Sequence, residues 1–169
     1  GAINDCPLHG TDKYPGWRVE YPRLGSNLPF RGVKAQLYEG GIRTPTIVNW
    51  QGSLTPGVRE APVQVVDWMP TLISLLKLRP QDEHRFDGTD IWPLISAGEP
   101  TDARDLFWNF RGDRVLGLRH GDWKLISTAD EGKRKLELFN IAGDPGEQND
   151  LAQERADIVE ELADLIEQQ

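Results

Sequence analysis

The chain has 169 residues, a formal net charge of -8 at pH 7 and a hydrophobic content of 38%. That length is about one domain, which is long enough to bury a core. An acidic chain repels nucleic acid on average, because affinity for phosphate backbones comes from clustered Lys and Arg. Apolar runs such as residues 72–76 are far shorter than the roughly 20 residues that cross a bilayer. We therefore expect neither nucleic acid nor a membrane among the partners.

Cysteine content and the first residues bear on processing. Cys6 is the only cysteine in the sequence, so an internal disulfide and a Cys-rich zinc site are both excluded. The chain begins with Gly1 and Ala2 and shows no signal-peptide pattern there. We expect it to be a piece of a longer protein, and its localisation stays open.

Residues 1–30 are interrupted throughout by proline and glycine, which predicts a long loop. Loops of that length in compact proteins are usually functional or disordered. Aromatic and basic side chains favour a surface loop near a binding site, with Trp17 and Arg18 as candidate substrate-binding residues. For Trp17, binding and packing are both left open.

The middle of the chain predicts one strand and one helix. Residues 46–50 are β-branched and aromatic and fit a buried strand. Asp67 is a candidate helix cap, and Pro70 falls in the first turn, where its missing N–H is no loss. A helical repeat then predicts one face packed on the core, formed by Leu72, Leu75 and Leu76.

Beyond a polar, turn-rich stretch, the pattern changes near residue 100, where we place a boundary between residues 1–100 and 101–169. Four short strands separated by turns predict a small antiparallel sheet, at residues 106–110, 115–119, 123–127 and 136–140. Trp108 and Trp123 lie on these strands and are predicted to be core residues.

The C-terminus predicts an amphipathic helix over residues 151–167. Asp150 is the expected N-cap and Gln153 takes the capping-box position. Apolar residues recur on one stripe: Ile158, Val159, Leu162, Leu165 and Ile166. We expect this helix to lie on one face of the sheet.

The densest chemical signal is at residues 29–45, just before the predicted strand. Glycines there permit close backbone approach, and Arg31, Lys34 and Arg43 supply the donors that a bound anion needs. A turn whose charges are solvated or paired with Glu39 explains the same residues. From the residues alone, both readings stay open.

This segment resembles the pattern of the type I sulfatase (arylsulfatase) family. There a Leu-Arg-Gly-Gly-Lys-Gly-Thr stretch precedes Tyr-Glu-Gly-Gly-Ile-Arg, which is present here as residues 38–43. Further matches follow in order, at residues 67–72, 86–90, 119–125 and 138–147. The resemblance runs from about residue 27 to the C-terminus. Five fragments in the right order make it highly specific.

The resemblance implies an α/β fold of the alkaline-phosphatase type. The chain would supply the end of the catalytic domain plus a small four-stranded antiparallel sheet with a C-terminal helix, α+β within this fragment. Family members hydrolyse sulfate esters with a formylglycine, made within a Cys/Ser-x-Pro/Ala-Ser-Arg motif, and a calcium held by Asp and Asn. Neither the nucleophile motif nor the metal ligands are found in this sequence: Cys6 lacks the motif's spacing, and Asn4-Asp5 reverses the order of the metal motif. We expect the isolated chain to be inactive.

Lys34 is the one catalytic residue that the resemblance assigns, as the lysine that contacts a sulfate oxygen. A cation there would offset charge building up in the transition state. The sequence departs from the family pattern at Val33, Ala35 and Gln36, where Gly, Gly and Thr or Ser are usual. Glu39 and Arg43 are expected to pair structurally. His9, His84 and His120 lie in separate turns, and we expect none to bind metal.

Three functions are compatible with these features. The first is hydrolysis of a sulfated small molecule or carbohydrate by the intact protein, with the N-terminal catalytic portion restored. The second is a phosphodiesterase or phosphonate-ester hydrolase of the same superfamily, which the upstream nucleophile would distinguish. The third is a non-catalytic interaction module. Oligomeric state is not indicated.

Overall fold

The computed structural model describes residues 26–79, 85–100, 104–110, 112–130 and 132–169. Two compact units are present, one formed by the described residues up to Pro45 with Arg104–Gln169, the other within Thr46–Ala103. No helix in the described ranges is long and apolar enough to cross a membrane. The division of the chain at residue 100 into catalytic domain and subdomain stays a prediction.

The first unit is built on a four-stranded antiparallel sheet in the order β1-β2-β3-β4. The strands are β1 (Asp105–Phe110), β2 (Val115–His120), β3 (Trp123–Asp130) and β4 (Lys133–Asn140). Each pairs with the next along the chain, with Leu118 opposite Phe107 on β1 and Leu125 on β3. The predicted sheet is confirmed.

Alternation along the strands gives the sheet two apolar faces. One face packs beneath the helix α4 (Ala156–Glu167) and forms the first core, which includes Leu116, Leu118, Leu125, Leu138, Ile158, Leu162 and Ile166. The other face forms a second core against the short helix α1 (Glu39–Ile42) and the residues before it, with Leu37, Ile126, Phe139 and Ile141. Trp123 packs on the first core and Trp108 on the second, as predicted.

The C-terminal helix lies on the sheet as expected, but it begins later. Its first residue is Ala156, with Arg155 at the N-cap. The Asp150 carboxylate accepts N–H groups of Leu138 and Ala152, both at 3.0 Å, so it joins β4 to a turn and does not cap the helix. The predicted start at 151 and the capping box with Gln153 are therefore wrong, whereas the predicted apolar stripe is confirmed.

The second unit holds a 3₁₀ turn (Val65–Asp67), α2 (Trp68–Leu75) and α3 (Trp92–Ala97). Asp67 is fully buried and accepts N–H groups from Gln64 at 2.7 Å and Thr89 at 3.0 Å. Thr71 accepts the Ile91 N–H at 2.9 Å. These side chains fasten the segment before α3 to α2. Asp67 takes the N-cap position of α2, but its carboxylate does not bond the helix N–H groups.

Two expectations fail in this unit. Residues 46–50 form no strand, and Ile47 is 92% exposed. A buried strand needs neighbours, and no strand within the described ranges pairs with this segment. The leucine face of α2 is not a core face either, because Leu72 is 45% and Leu76 is 62% exposed. Pro70 lies in the first turn of α2 as predicted.

Candidate functional site

Residues 31–40 form a loop whose two ends meet, hereafter the 31–40 loop. The Gly40 N–H donates to the Arg31 carbonyl at 2.7 Å. A Cβ on Gly40 would lie 2.6 Å from the carbonyl oxygens of both Arg31 and Gly32, so only glycine allows this closure. The first glycine of the Gly40-Gly41 pair is therefore required for a steric reason.

Lys34 lies at the exposed tip of this loop. A turn forms the tip, in which the Gln36 N–H donates to the Val33 carbonyl at 3.1 Å and the Gln36 side chain accepts the Val33 N–H at 3.0 Å. Ala35 follows Lys34 with φ 72, in the left-handed region. No hydrogen bond or ion pair joins Lys34 to another residue that the structure describes, so within this part of the chain its ammonium is available to an anion.

Beneath the loop lies a buried ionic cluster of Lys124, Glu39 and Glu147, hereafter the Lys124 cluster. The Lys124 Nζ lies 2.9 Å from Glu39 Oε1 and 2.8 Å from Glu147 Oε1. Lys124 and Glu147 are fully buried, and Glu39 is 4% exposed. The second oxygen of Glu147 accepts the backbone N–H of Glu39 at 2.6 Å. One ammonium thus links β3, α1 and the turn that follows β4.

The electrostatics of the cluster follow from two carboxylates that share one buried ammonium. Burial raises the pKa of Glu147 above its ordinary value, while the charge and hydrogen bond of Lys124 oppose that rise. Arg43 adds a weaker cation from the solvent side, with Nη1 3.7 Å from Glu39 Oε2. The expected Glu39–Arg43 pair is confirmed, yet Lys124 is the closer partner of Glu39.

A second group of side chains ties the other end of the loop to β4. Arg31 donates to the Glu147 carbonyl and to the Tyr38 hydroxyl, both at 3.2 Å, and its guanidinium stacks 4.0 Å from the Tyr38 ring. The Tyr38 hydroxyl donates to Glu137 at 2.9 Å. Burial, and then the hydrogen bond and charge of Glu137, raise the pKa of Tyr38 to about 12.

The other candidates are placed as follows. Trp17, Arg18, Cys6, His9 and His84 lie outside the described residues. His120 is half exposed, with Nδ1 2.6 Å from Asp105. Within the described ranges, no three His, Cys, Asp or Glu side chains come together as a metal site.

Sequence reasoning missed Lys124 and Glu147. The period-two alternation of β3 puts Lys124 on the same face as Ile126, and a lysine at an inward position needs a buried partner. The inward position of Lys124 could therefore be recognised in the sequence. Its partner could not, because Glu39 lies 85 residues away in sequence.

Comparison with known proteins agrees with this architecture. Residues 33–169 match the family described as N-sulphoglucosamine sulphohydrolase, C-terminal. A sulfatase of Schizosaccharomyces pombe is 31% identical over 90% of the chain, and an N-acetylgalactosamine-6-sulfatase of Canis lupus familiaris is 36% identical over 59% of it. A solved sulfatase structure from a study of glycosaminoglycan metabolism in Bacteroides thetaiotaomicron covers 82% of this chain and 31% of its own, with a TM-score of 0.72 and 26% identity.

The chain spans 30% of the length of the yeast relative and 19% of that of the dog relative. Its structural neighbours have the alkaline-phosphatase-like fold, so the expected fold class is confirmed. The family match covers both the 31–40 loop from Val33 onward and the whole sheet. The chain therefore belongs to the sulfatase family and corresponds to the C-terminal region of its members.

Proposed function

We propose that this chain is the C-terminal part of an enzyme that hydrolyses sulfate esters, in which Lys34 contacts a sulfate oxygen. The observation that carries the proposal is the position of Lys34 at the exposed tip of a loop whose ends are both fixed on the sheet, through Glu39 to Lys124 and through Arg31 to Glu137. A cation held in advance stabilises charge that develops on sulfuryl oxygens without reorganising during the reaction. The family match supports the reaction class.

The names of the relatives support a substrate class. The dog relative is named for a sulfated amino sugar. We assign this protein a sulfated carbohydrate or a sulfated small molecule as substrate. Trp17 and Arg18 remain proposed contacts to it, since an aromatic face suits a sugar ring and a guanidinium suits a sulfate.

The remaining chemistry would come from outside the described residues. Calcium and formylglycine, which the family resemblance implies, need a nucleophile motif and a set of oxygen ligands that these residues do not provide. The chain's own contribution is Lys34 and its support. On this proposal the isolated chain does not turn over a sulfate ester.

The proposed partner of the second unit is the N-terminal catalytic portion of the same enzyme. Large apolar side chains are exposed along this unit, among them Ile47 at 92%, Val65 at 83% and Leu76 at 62%. Many exposed large apolar side chains on one unit favour an interaction site. Residues 1–100 would then be the end of the catalytic domain.

The test is to replace Lys34 in the full-length enzyme and to measure kcat/KM with an aryl sulfate. Removal of one charge-stabilising donor lowers the rate by about a hundredfold, judged by such deletions in other enzymes. Lys133→Ala is the matched control, because Lys133 is an exposed lysine on β4 and is not part of the 31–40 loop. Unchanged kinetics for Lys34→Ala would refute the role of Lys34. Hydrolysis of a phosphodiester in preference to the sulfate would refute the reaction class.

A further inference from the structure

We infer that Lys124 is a positioning residue for the reaction: its buried ammonium fixes the base of the 31–40 loop and so sets where Lys34 is held. The inference rests on the proposed function, since it assigns a role to Lys34. It adds a residue on the sheet, 90 positions beyond Lys34 in sequence, to Lys34, the one catalytic residue that the family resemblance assigns within this chain.

The connection from Lys124 to the loop is short. Lys124 Nζ holds the Glu39 carboxylate at 2.9 Å, and the next residue, Gly40, makes the backbone bond to Arg31 that closes the loop. Glu39 is also held through its backbone, because its N–H donates to Glu147 at 2.6 Å. Glu147 in turn is bonded to Lys124 at 2.8 Å. The residue at the base of the loop is therefore fixed at its side chain and its main chain by one cluster.

A buried ion cluster of this kind is not explained by stability alone. Burial of charges costs solvation, and well-packed apolar side chains of similar volume often stabilise a protein as well or better. Apolar contacts, however, are not directional, whereas hydrogen bonds are. The bonds of Lys124 select one placement of Glu39 relative to Glu147, and a displacement of about 1 Å at a catalytic group can cost a hundredfold in rate.

A double-mutant cycle in the full-length enzyme tests this. Lys34→Ala, Lys124→Met and the double variant are compared with the parent in kcat and KM. If Lys124 acts through Lys34, Lys124→Met lowers kcat by about tenfold to a hundredfold and leaves KM within about threefold. In the Lys34→Ala background the same change lowers kcat by less than about threefold, since nothing is left to position.

A merely structural lysine gives a different result. Its removal lowers activity by the same factor in both backgrounds, or not at all, and either outcome overturns the inference while the proposed function stands. If Lys34→Ala itself leaves kcat and KM unchanged, the inference and the proposed role of Lys34 are both overturned. Lys133→Met controls for the loss of an exposed lysine.

Lys124→Met leaves two buried carboxylates without their cation, so this variant can fail to fold. A triple variant, Lys124→Met with Glu39→Met and Glu147→Gln, removes the buried charges together and keeps an acceptor for the Glu39 N–H. We expect it to melt close to the parent enzyme but to show the same loss of kcat. A triple variant that melts normally and retains full kcat would show that the cluster does not position Lys34.

Discussion

The two units of the chain bury their large side chains to different extents. In the first unit, the sheet is covered on both faces, and even a lysine is buried between two carboxylates. In the second unit, Asp67, Thr71 and Ile91 are buried, yet most large apolar side chains are exposed. Among the described residues, Leu28 is the only exposed large apolar side chain outside the second unit. A unit that carries its own core is expected to be stable alone, whereas one that exposes apolar surface needs a partner.

The largest expected effect tests whether the buried charges of the first unit are paired in the Lys124 cluster. Lys124→Met leaves Glu39 and Glu147 buried without a cation, which costs roughly 3–5 kcal/mol of unfolding free energy. Lys133→Met changes an exposed lysine and should stay within about 0.5 kcal/mol of the parent. Urea unfolding of the 169-residue chain, followed by far-UV circular dichroism, measures both. Equal midpoints for the two variants would contradict the buried cluster.

A matched pair of leucines sharpens the comparison between units. Leu118 is fully buried in the first core, so Leu118→Ala should cost about 3 kcal/mol. Leu72 is 45% exposed on α2, and Leu72→Ala should cost less than about 1 kcal/mol in the chain alone.

Repeating the Leu72→Ala measurement in the full-length enzyme tests whether a partner covers α2. If the catalytic portion packs on this helix, the cost rises toward that of a core leucine. The same small cost in both contexts would mean that the exposed leucines of α2 stay in solvent, and it would remove the support for the proposed partner.

The elements that could be predicted from sequence are those whose partners lie close by in the chain. Each strand of the sheet pairs with the next one, so period-two alternation and turn residues locate β1 to β4. The apolar stripe of α4 is local as well. The predicted strand at residues 46–50 is wrong because a strand needs neighbouring strands to pair with. The residue pattern of the segment does not show whether such neighbours are present.

The site divides along the same line. Lys34, Glu39 and Arg43 are found in one continuous motif, so a Glu39–Arg43 pair could be expected, and in the structure the two residues have the i, i+4 spacing of a helix. The Lys124 cluster joins segments far apart in the chain, and the Asp150 carboxylate is taken up by the Leu138 N–H of β4, which removes it from the helix. In both cases the deciding hydrogen bond goes to a residue outside the local element, and local propensity does not contain it.

Tyr38 gives a pH-dependent test of how the loop is tied to β4. Its pKa is raised from 10.0 to about 12, so its contribution to stability is fully present below pH 10 and is lost as the pH rises toward 12. Tyr38→Phe removes a hydrogen bond to the Glu137 carboxylate and should cost about 1–2 kcal/mol at pH 7. The gap between parent and variant should shrink between pH 10 and 12 in unfolding experiments. A constant gap across this range would contradict the raised pKa of Tyr38, and with it the burial and the Glu137 hydrogen bond that raise it.

The smallest expected effect concerns the tip of the 31–40 loop, where this chain carries Ala35 at the position that the family pattern fills with glycine. Ala35 adopts φ 72, and a left-handed residue with a Cβ is strained by roughly 1–2 kcal/mol. Ala35→Gly relieves that strain, while the added freedom of the unfolded chain offsets about 0.4–1 kcal/mol of the gain. We therefore expect a net stabilisation of about 0.5 kcal/mol.

The same substitution at Ala163, inside α4, should instead destabilise by about 1 kcal/mol. Opposite signs for the two substitutions in parallel urea titrations would support a strained tip beside Lys34. If Ala35→Gly is as costly as Ala163→Gly, the left-handed turn at the tip is wrong, and the placement of Lys34 beside it fails as well.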